Sequence, residues 1–132
     1  GGNSIILPSE QEALYAFIGE KRTANDTAAQ KAAILEFIKR YPSDTRIEAS
    51  LAELIMILST ENAHNDAISY SARYLQLFPK GPSRNEVIYI MGDSGLKIGN
   101  CDIAQKSFQT LEALSYRDAS ARFKDAKANC KK

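Results

Sequence analysis

The chain repeats itself every 37 residues, and that period constrains its fold more than any single motif does. "LEFIKRYPSD" at residues 35 to 44 and "YLQLFPKGPS" at 74 to 83 each place a proline, Pro42 or Pro79, directly after an aromatic residue. Periods of this size mark arrays in which each copy buries its apolar face against the next. At this spacing Leu14, Leu51 and Ile88 coincide, as do Phe17, Leu54 and Met91 three residues later. Ala67 coincides with Ala104, with Gln30 in the first copy. Phe37, Tyr74 and Leu111 coincide, and Pro42 and Pro79 fall opposite Tyr116. Each copy holds two apolar stripes with i, i+3, i+4 spacing joined by a polar turn, which predicts a pair of amphipathic helices.

The capping residues divide the stripes in the same way. Ser9 is placed to cap a first helix, and Asp26 with Thr27 to open a second. Ser43 is expected to open the third, and Asn65 or Asp66 the fourth. Ser83 with Glu86 reads as a capping box for the fifth. Gly99-Asn100 ends that helix, and Asp102 helps to start the sixth. A seventh helix, over 118–130, carries the polar outer face that an end cap needs. Proline lacks the amide that the next helical turn requires and moves its predecessor out of the α region. Tyr41-Pro42 and Phe78-Pro79 therefore end the second helix of their copies, with the aromatic expected to lodge between copies. No segment alternates with period two, so no sheet is predicted. The expected fold is all-α: three helix-turn-helix repeats over 9–43, 44–80 and 83–116, then a capping helix, in one domain spanning 1–132. Residues 1–8 are expected to form a tail, and the Gly1-Gly2 start reads as a cloning remnant, compatible with a leader or anchor upstream.

Bulk properties exclude several classes. With 17 basic and 16 acidic residues the net charge is +1, which leaves no excess of cations for general nucleic-acid binding. The longest apolar run, "LIMIL" at 54 to 58, is far too short to span a bilayer.

The repeat resembles the tetratricopeptide repeat (TPR). "DAISYSARYLQLFP" is similar to the second helix of that motif, with Ala67, Tyr74 and Pro79 at its small, packing and terminal positions. In "VIYIMGDSGLKIGNCDIAQKSFQTL", the residues Ile88, Met91, Gly92, Gly99, Ala104, Phe108 and Leu111 fall on motif positions. Departures are Gln30 for alanine, Ile18 for glycine and Ser71 for an aromatic residue. The 37-residue period, the "FIKRYPSD" ending and the Ala/Lys-rich closing helix resemble bacterial envelope proteins. Two types stand out: the periplasmic coordinator that accompanies the Tol-Pal system in cell division, and the TPR lipoprotein of the outer-membrane β-barrel assembly machine. The resemblance implies an α-solenoid of the periplasm, associated with the outer membrane, that grips a partner protein. It leaves homo-oligomerisation open; another envelope secretion or motility adaptor is a further alternative, and a spacer or oligomerisation segment is the structural one.

No motif supports catalysis, a metal or a cofactor. His64, the sole histidine, has no nucleophile or ligand companions at suitable spacing and reads as an exposed turn residue. Gly92, Gly95 and Gly99 match no phosphate loop. Gly92 and Gly95 read as close-packing positions and Gly99 as a terminator. Cys101 and Cys130 fit no CxxC pattern. A TPR stack lays an added last helix beside the preceding turn, so the resemblance implies that the two can meet in a disulfide, which would imply an oxidising compartment; the alternative is two unrelated half-buried thiols.

TPR arrays bind with the face lined by their first helices. Here that face implies Tyr15, Ala52 and Tyr89 in one row and Gly19, Met56 and Asp93 in the next, with Glu12, Arg22 and Glu86 at the margins. Tyrosines and a methionine offer apolar area with polar tips, which suits a peptide or helix; the alternative is that Tyr15 and Tyr89 simply pack between helices. Ala52, Met56 and Asp93 stand where a carboxylate clamp would carry Lys, Asn and Arg, so a clamp for an acidic tail is not expected.

Overall fold

The computed structural model describes residues 8–129, and among them lie seven α-helices and no strand. They are α1 (Glu10–Thr23), α2 (Thr27–Arg40), α3 (Ile47–Thr60), α4 (His64–Leu77), α5 (Arg84–Ile98), α6 (Cys101–Ala113) and α7 (Ala119–Asn129). This is the all-α, TPR-like α-solenoid class that the period predicts. The expected tail lies outside the described residues apart from Pro8. The chain divides into two compact units, residues 1–50 and 51–132, and the division falls inside α3.

The turns that join the first helix of each pair to the second are copies of one another. Asn25, Asn62 and Gly99 take left-handed backbone at φ 55°, 60° and 74°. The next residue's N–H then reaches five residues back: Asp26 to Lys21 O (3.0 Å), Ala63 to Leu58 O (2.9 Å) and Asn100 to Gly95 O (2.8 Å). This is the Schellman helix ending, and glycine and asparagine enter its left-handed position at least cost. The same turn fixes where the second helix starts. Asp26 caps α2 by accepting from Ala29 N–H at 3.1 Å, and Asn100 caps α6 by accepting from Ile103 N–H at 3.2 Å. Ala63 holds the equivalent place with no side-chain cap. The expected start of α4 at Asn65 or Asp66 is therefore corrected to His64, because backbone geometry sets it rather than a capping side chain.

The proline exits are also alike. Tyr41 (φ −129°, ψ 55°) and Phe78 (φ −130°, ψ 63°) end α2 and α4 in nearly the same conformation. Their rings fold back on the aromatic four residues earlier. The Phe37–Tyr41 centroids are 5.8 Å apart and those of Tyr74–Phe78 5.4 Å. Two tight turns follow each exit, Asp44 N–H to Tyr41 O and Ile47 N–H to Asp44 O in the first case. These turns delay α3 to Ile47, which corrects the expected opening at Ser43. The Ser83–Glu86 capping box does not form: Ser83 makes no side-chain cap bond, and its N–H donates to the buried Tyr74 hydroxyl at 3.0 Å. At the third exit proline is missing, and Ser115 (φ 53°) with the Tyr116 N–H to Leu111 O bond makes a Schellman ending instead.

In the first unit α1 packs on α2. Ile18, Ile34, Phe37 and Ile38 are buried, whereas Phe17 is 39% exposed. The apolar stripe of α1 thus runs through Ile18 and not through Phe17 as the alignment of copies implied. In the second unit α4 packs on α5, α5 on α6 and α6 on α7. Ile88, Phe108, Leu111 and Ala119 form a buried cluster there, with Leu75, Tyr89, Leu96, Tyr116 and Phe123 packed against it. Glycines let α5 and α6 approach. A Cβ on Gly92 would lie 2.9 Å from the Phe108 ring, and one on Gly95 would lie 3.0 Å from the Ala104 nitrogen. His64 is not the exposed turn residue expected. It begins α4, is half-buried, and its Nδ1 lies 3.1 Å from the Oγ of Ser94, which is fully buried. Ser71 is fully buried at the position where the motif carries an aromatic, and its hydroxyl has no partner among the described residues.

Candidate partner-binding surface

The first-helix residues predicted to face a partner lie in both units. Glu12, Tyr15, Gly19 and Arg22 belong to the first, and Ala52, Met56, Glu86, Tyr89 and Asp93 to the second. Within each unit, most of these side chains are engaged by an arginine from further along the chain.

In the first unit that arginine is Arg46, in the turn just before α3. Its guanidinium lies 4.0 Å from the centroid of the Tyr15 ring and 5.7 Å from that of Phe37. Its Nη2 reaches Glu12 at 2.6 Å and Asp44 at 2.8 Å. Gln11 donates a further bond to Asp44 at 2.6 Å. The tight turn after Tyr41-Pro42 delivers Arg46 to this place, since the Arg46 N–H itself donates to the Asp44 carboxylate at 2.8 Å. These bonds, led by the Arg46 side chain, hold the Asp44 carboxyl well below the usual carboxylate range. The Arg46 hydrogen bonds lower Glu12 too, and the two carboxylates hold Arg46 protonated beyond its ordinary range. Arg22, at the end of α1, is exposed.

The second unit builds an equivalent cluster two repeats later, where Glu86 and Tyr89 are the counterparts of Glu12 and Tyr15. Arg117 binds Glu86 at 2.7 Å and lies 5.3 Å from the Tyr89 centroid. Arg122 pairs with Asp93, which Lys97 also approaches at 3.2 Å. The Tyr89 hydroxyl donates to Asp118 at 2.7 Å and the Tyr116 hydroxyl to Glu86 at 2.8 Å. Burial, followed by these hydrogen bonds, raises both phenols above their ordinary value. Between the two clusters in the sequence, the middle repeat has Ala52 at the tyrosine position. Ala52 is buried, and Met56, one turn on, is 51% exposed.

The predicted residues thus separate into two kinds. Glu12, Tyr15, Glu86, Tyr89 and Asp93 are tied into arginine clusters that join a first helix to the start of the next element. Met56 is the large apolar side chain of the set that stands open. The sequence reading missed Arg46, Arg117 and Arg122 because it searched first helices alone. The detectable signal was an arginine within a few residues of each exit.

The second unit also carries an open groove between α4, α5 and α6, of about 370 Å³. Leu75, Pro79, Ile88, Met91 and Ile103 give it an apolar lining, and Arg84 and Lys106 add cationic groups. Met91 is two residues from both Tyr89 and Asp93, so it projects from nearly the opposite side of α5. Sequence alignment assigned Met91 to the buried stripe and did not mark a site here.

A family model matches residues 9–131, a span that covers all seven helices, and its description is YfiO, outer membrane lipoprotein. The chain belongs to this family. Comparison with curated proteins finds no match. Membership in the YfiO family agrees with the TPR resemblance and with the outer-membrane assembly lipoprotein, one of the two envelope types that the sequence resembles. It assigns the chain to a family of the cell envelope. Among the described residues of this YfiO-family chain, no helix is long and apolar enough to cross a membrane. Cys101, at the start of α6, is disulfide-bonded. Cys130, its expected partner, lies outside the described residues.

Proposed function

We propose that this chain is a non-enzymatic adaptor on the periplasmic side of the outer membrane, acting in outer-membrane protein assembly by holding a segment of a partner protein. The observation that carries this reading is the YfiO family match across residues 9–131. Local chemistry is consistent with it. The acidic side chains of the predicted face are bonded to arginines; the lowered Glu12 carboxyl on that face, like that of Asp44 beside it, has no proton to give near neutrality. Binding would come from apolar anchors, with charges setting orientation.

The test is depletion of the protein in its native cell, followed by quantification of β-barrel proteins in the outer-membrane fraction. A fall in several unrelated barrels, reversed by the wild-type gene, is the expected result. Normal barrel levels accompanied by a septation defect would overturn the assembly role and favour coordination of the Tol-Pal system in cell division. Normal barrels and normal division would remove both.

A further inference from the structure

We infer that the groove between α4, α5 and α6 is a docking site for an acidic amphipathic helix of a partner protein. The inference rests on the adaptor reading above and names the chemistry of the partner.

The groove combines an apolar floor with positive charge and has no acidic lining residue. Leu75 on α4, Met91 on α5 and Ile103 on α6 are each partly exposed, so their contact area is incomplete in the isolated chain. A volume of about 370 Å³ is at the small end of ligand sites, and the groove is open rather than enclosed. From Arg84 to Met91 the floor runs along two turns of α5, about 10 Å at the helical rise. Those dimensions suit two bulky side chains on one face of a helix, spaced i and i+3 or i+4.

Charge selects the occupant. No carboxylate among the described residues pairs with Arg84 or Lys106. Arg84 donates to the neutral Asn85 side chain at 3.1 Å, and Lys106 is exposed on α6. This contrasts with Arg40, Arg46, Arg117 and Arg122, each of which has an acidic partner within its unit. A neutral apolar peptide would leave both cations beside it unmatched, and a basic one would be repelled. A helix with carboxylates flanking its apolar anchors satisfies both.

The test uses three probes on the whole chain: a short amphipathic peptide with two leucines one turn apart and flanking glutamates, the same peptide with lysines for glutamates, and phosphatidylglycerol vesicles. The glutamate peptide should bind and the lysine peptide should not. Arg84→Glu with Lys106→Glu should weaken the glutamate peptide by about tenfold or more and confer binding of the lysine peptide. Lys106→Glu alone, at an exposed position, should give part of the same switch, and it serves if the double variant fails to fold. Equal binding of both peptides, binding unmoved by charge reversal, no binding of either peptide, or binding of vesicles alone would each overturn the inference. If the double variant still restores barrel assembly in depleted cells while the peptides fail to bind, the groove is excluded and the adaptor reading stands.

Discussion

Arg46 covers the ring of Tyr15, with its guanidinium carbon 4.0 Å from the ring centroid. The same guanidinium holds Glu12 and Asp44. One side chain thus links α1 to the turn that precedes α3, and the link has a pH dependence. Asp44 is held below its ordinary value of 3.8. A carboxyl depressed in the folded state contributes stability above its unfolded pKa and loses it as pH falls through the folded pKa. Unfolding midpoints in urea should therefore decline as pH drops below about 4. Asp44→Asn should be less stable at pH 7 and should show a shallower acid decline than the wild type.

Ala63 has φ −83° and ψ 66°, against −87° and 76° for Asp26 and −84° and 89° for Asn100. Only Ala63 lacks a capping side chain among these three. Ala63→Asn should therefore supply the missing acceptor without strain and stabilise the chain by about 1 kcal/mol. Asparagine is preferred to aspartate because Asp66 already lies in the first turn of α4. A thermal or urea titration that shows no gain would mean the α4 amides are already satisfied.

Gly95→Ala opposes two effects. Alanine favours helix by roughly 1 kcal/mol over glycine. The new Cβ would lie 3.0 Å from the Ala104 nitrogen and 3.2 Å from the Asn100 carbonyl, both backbone atoms that cannot swing aside. Overpacking of this kind costs about 1–3 kcal/mol, so the variant should be destabilised in urea unfolding. Ala104→Gly cannot relieve the contact, because the atom met is main-chain nitrogen.

Thiol titration of native protein should detect no reactive cysteine, since Cys101 is bonded. With Cys130 as partner the closed loop is about 30 residues, and chain entropy sets its worth at about 3–4 kcal/mol. Reduction or Cys101→Ser should lower stability by that order, with amide exchange rising first in α7. A Cys101→Ser variant as stable as wild type would exclude a structural role for the bridge.

The fold was legible because its main signals are local. Pro42 and Pro79 stop helices through a missing amide, and the i, i+3, i+4 stripes appear directly in the spacing. Helix starts were less legible. Ser43 and Asp66 are good capping residues by type, yet turns closed by backbone bonds had already fixed the starts at Ile47 and His64. Ser83 and Glu86 match a capping box in spelling, but Tyr74 engages the first residue, and Tyr116 and Arg117 the second, from elsewhere in the chain. The predicted face was legible in position and not in state. Nothing near Tyr15 in the sequence announces that an arginine 31 residues later will rest on its ring.

The copied turn at Asn25, Asn62 and Gly99 asks for one residue that tolerates positive φ and closes itself with main-chain bonds. A joint of that kind is indifferent to most of the letters around it. The same bend is therefore built from different letters across the hairpins, on an asparagine twice and a glycine once.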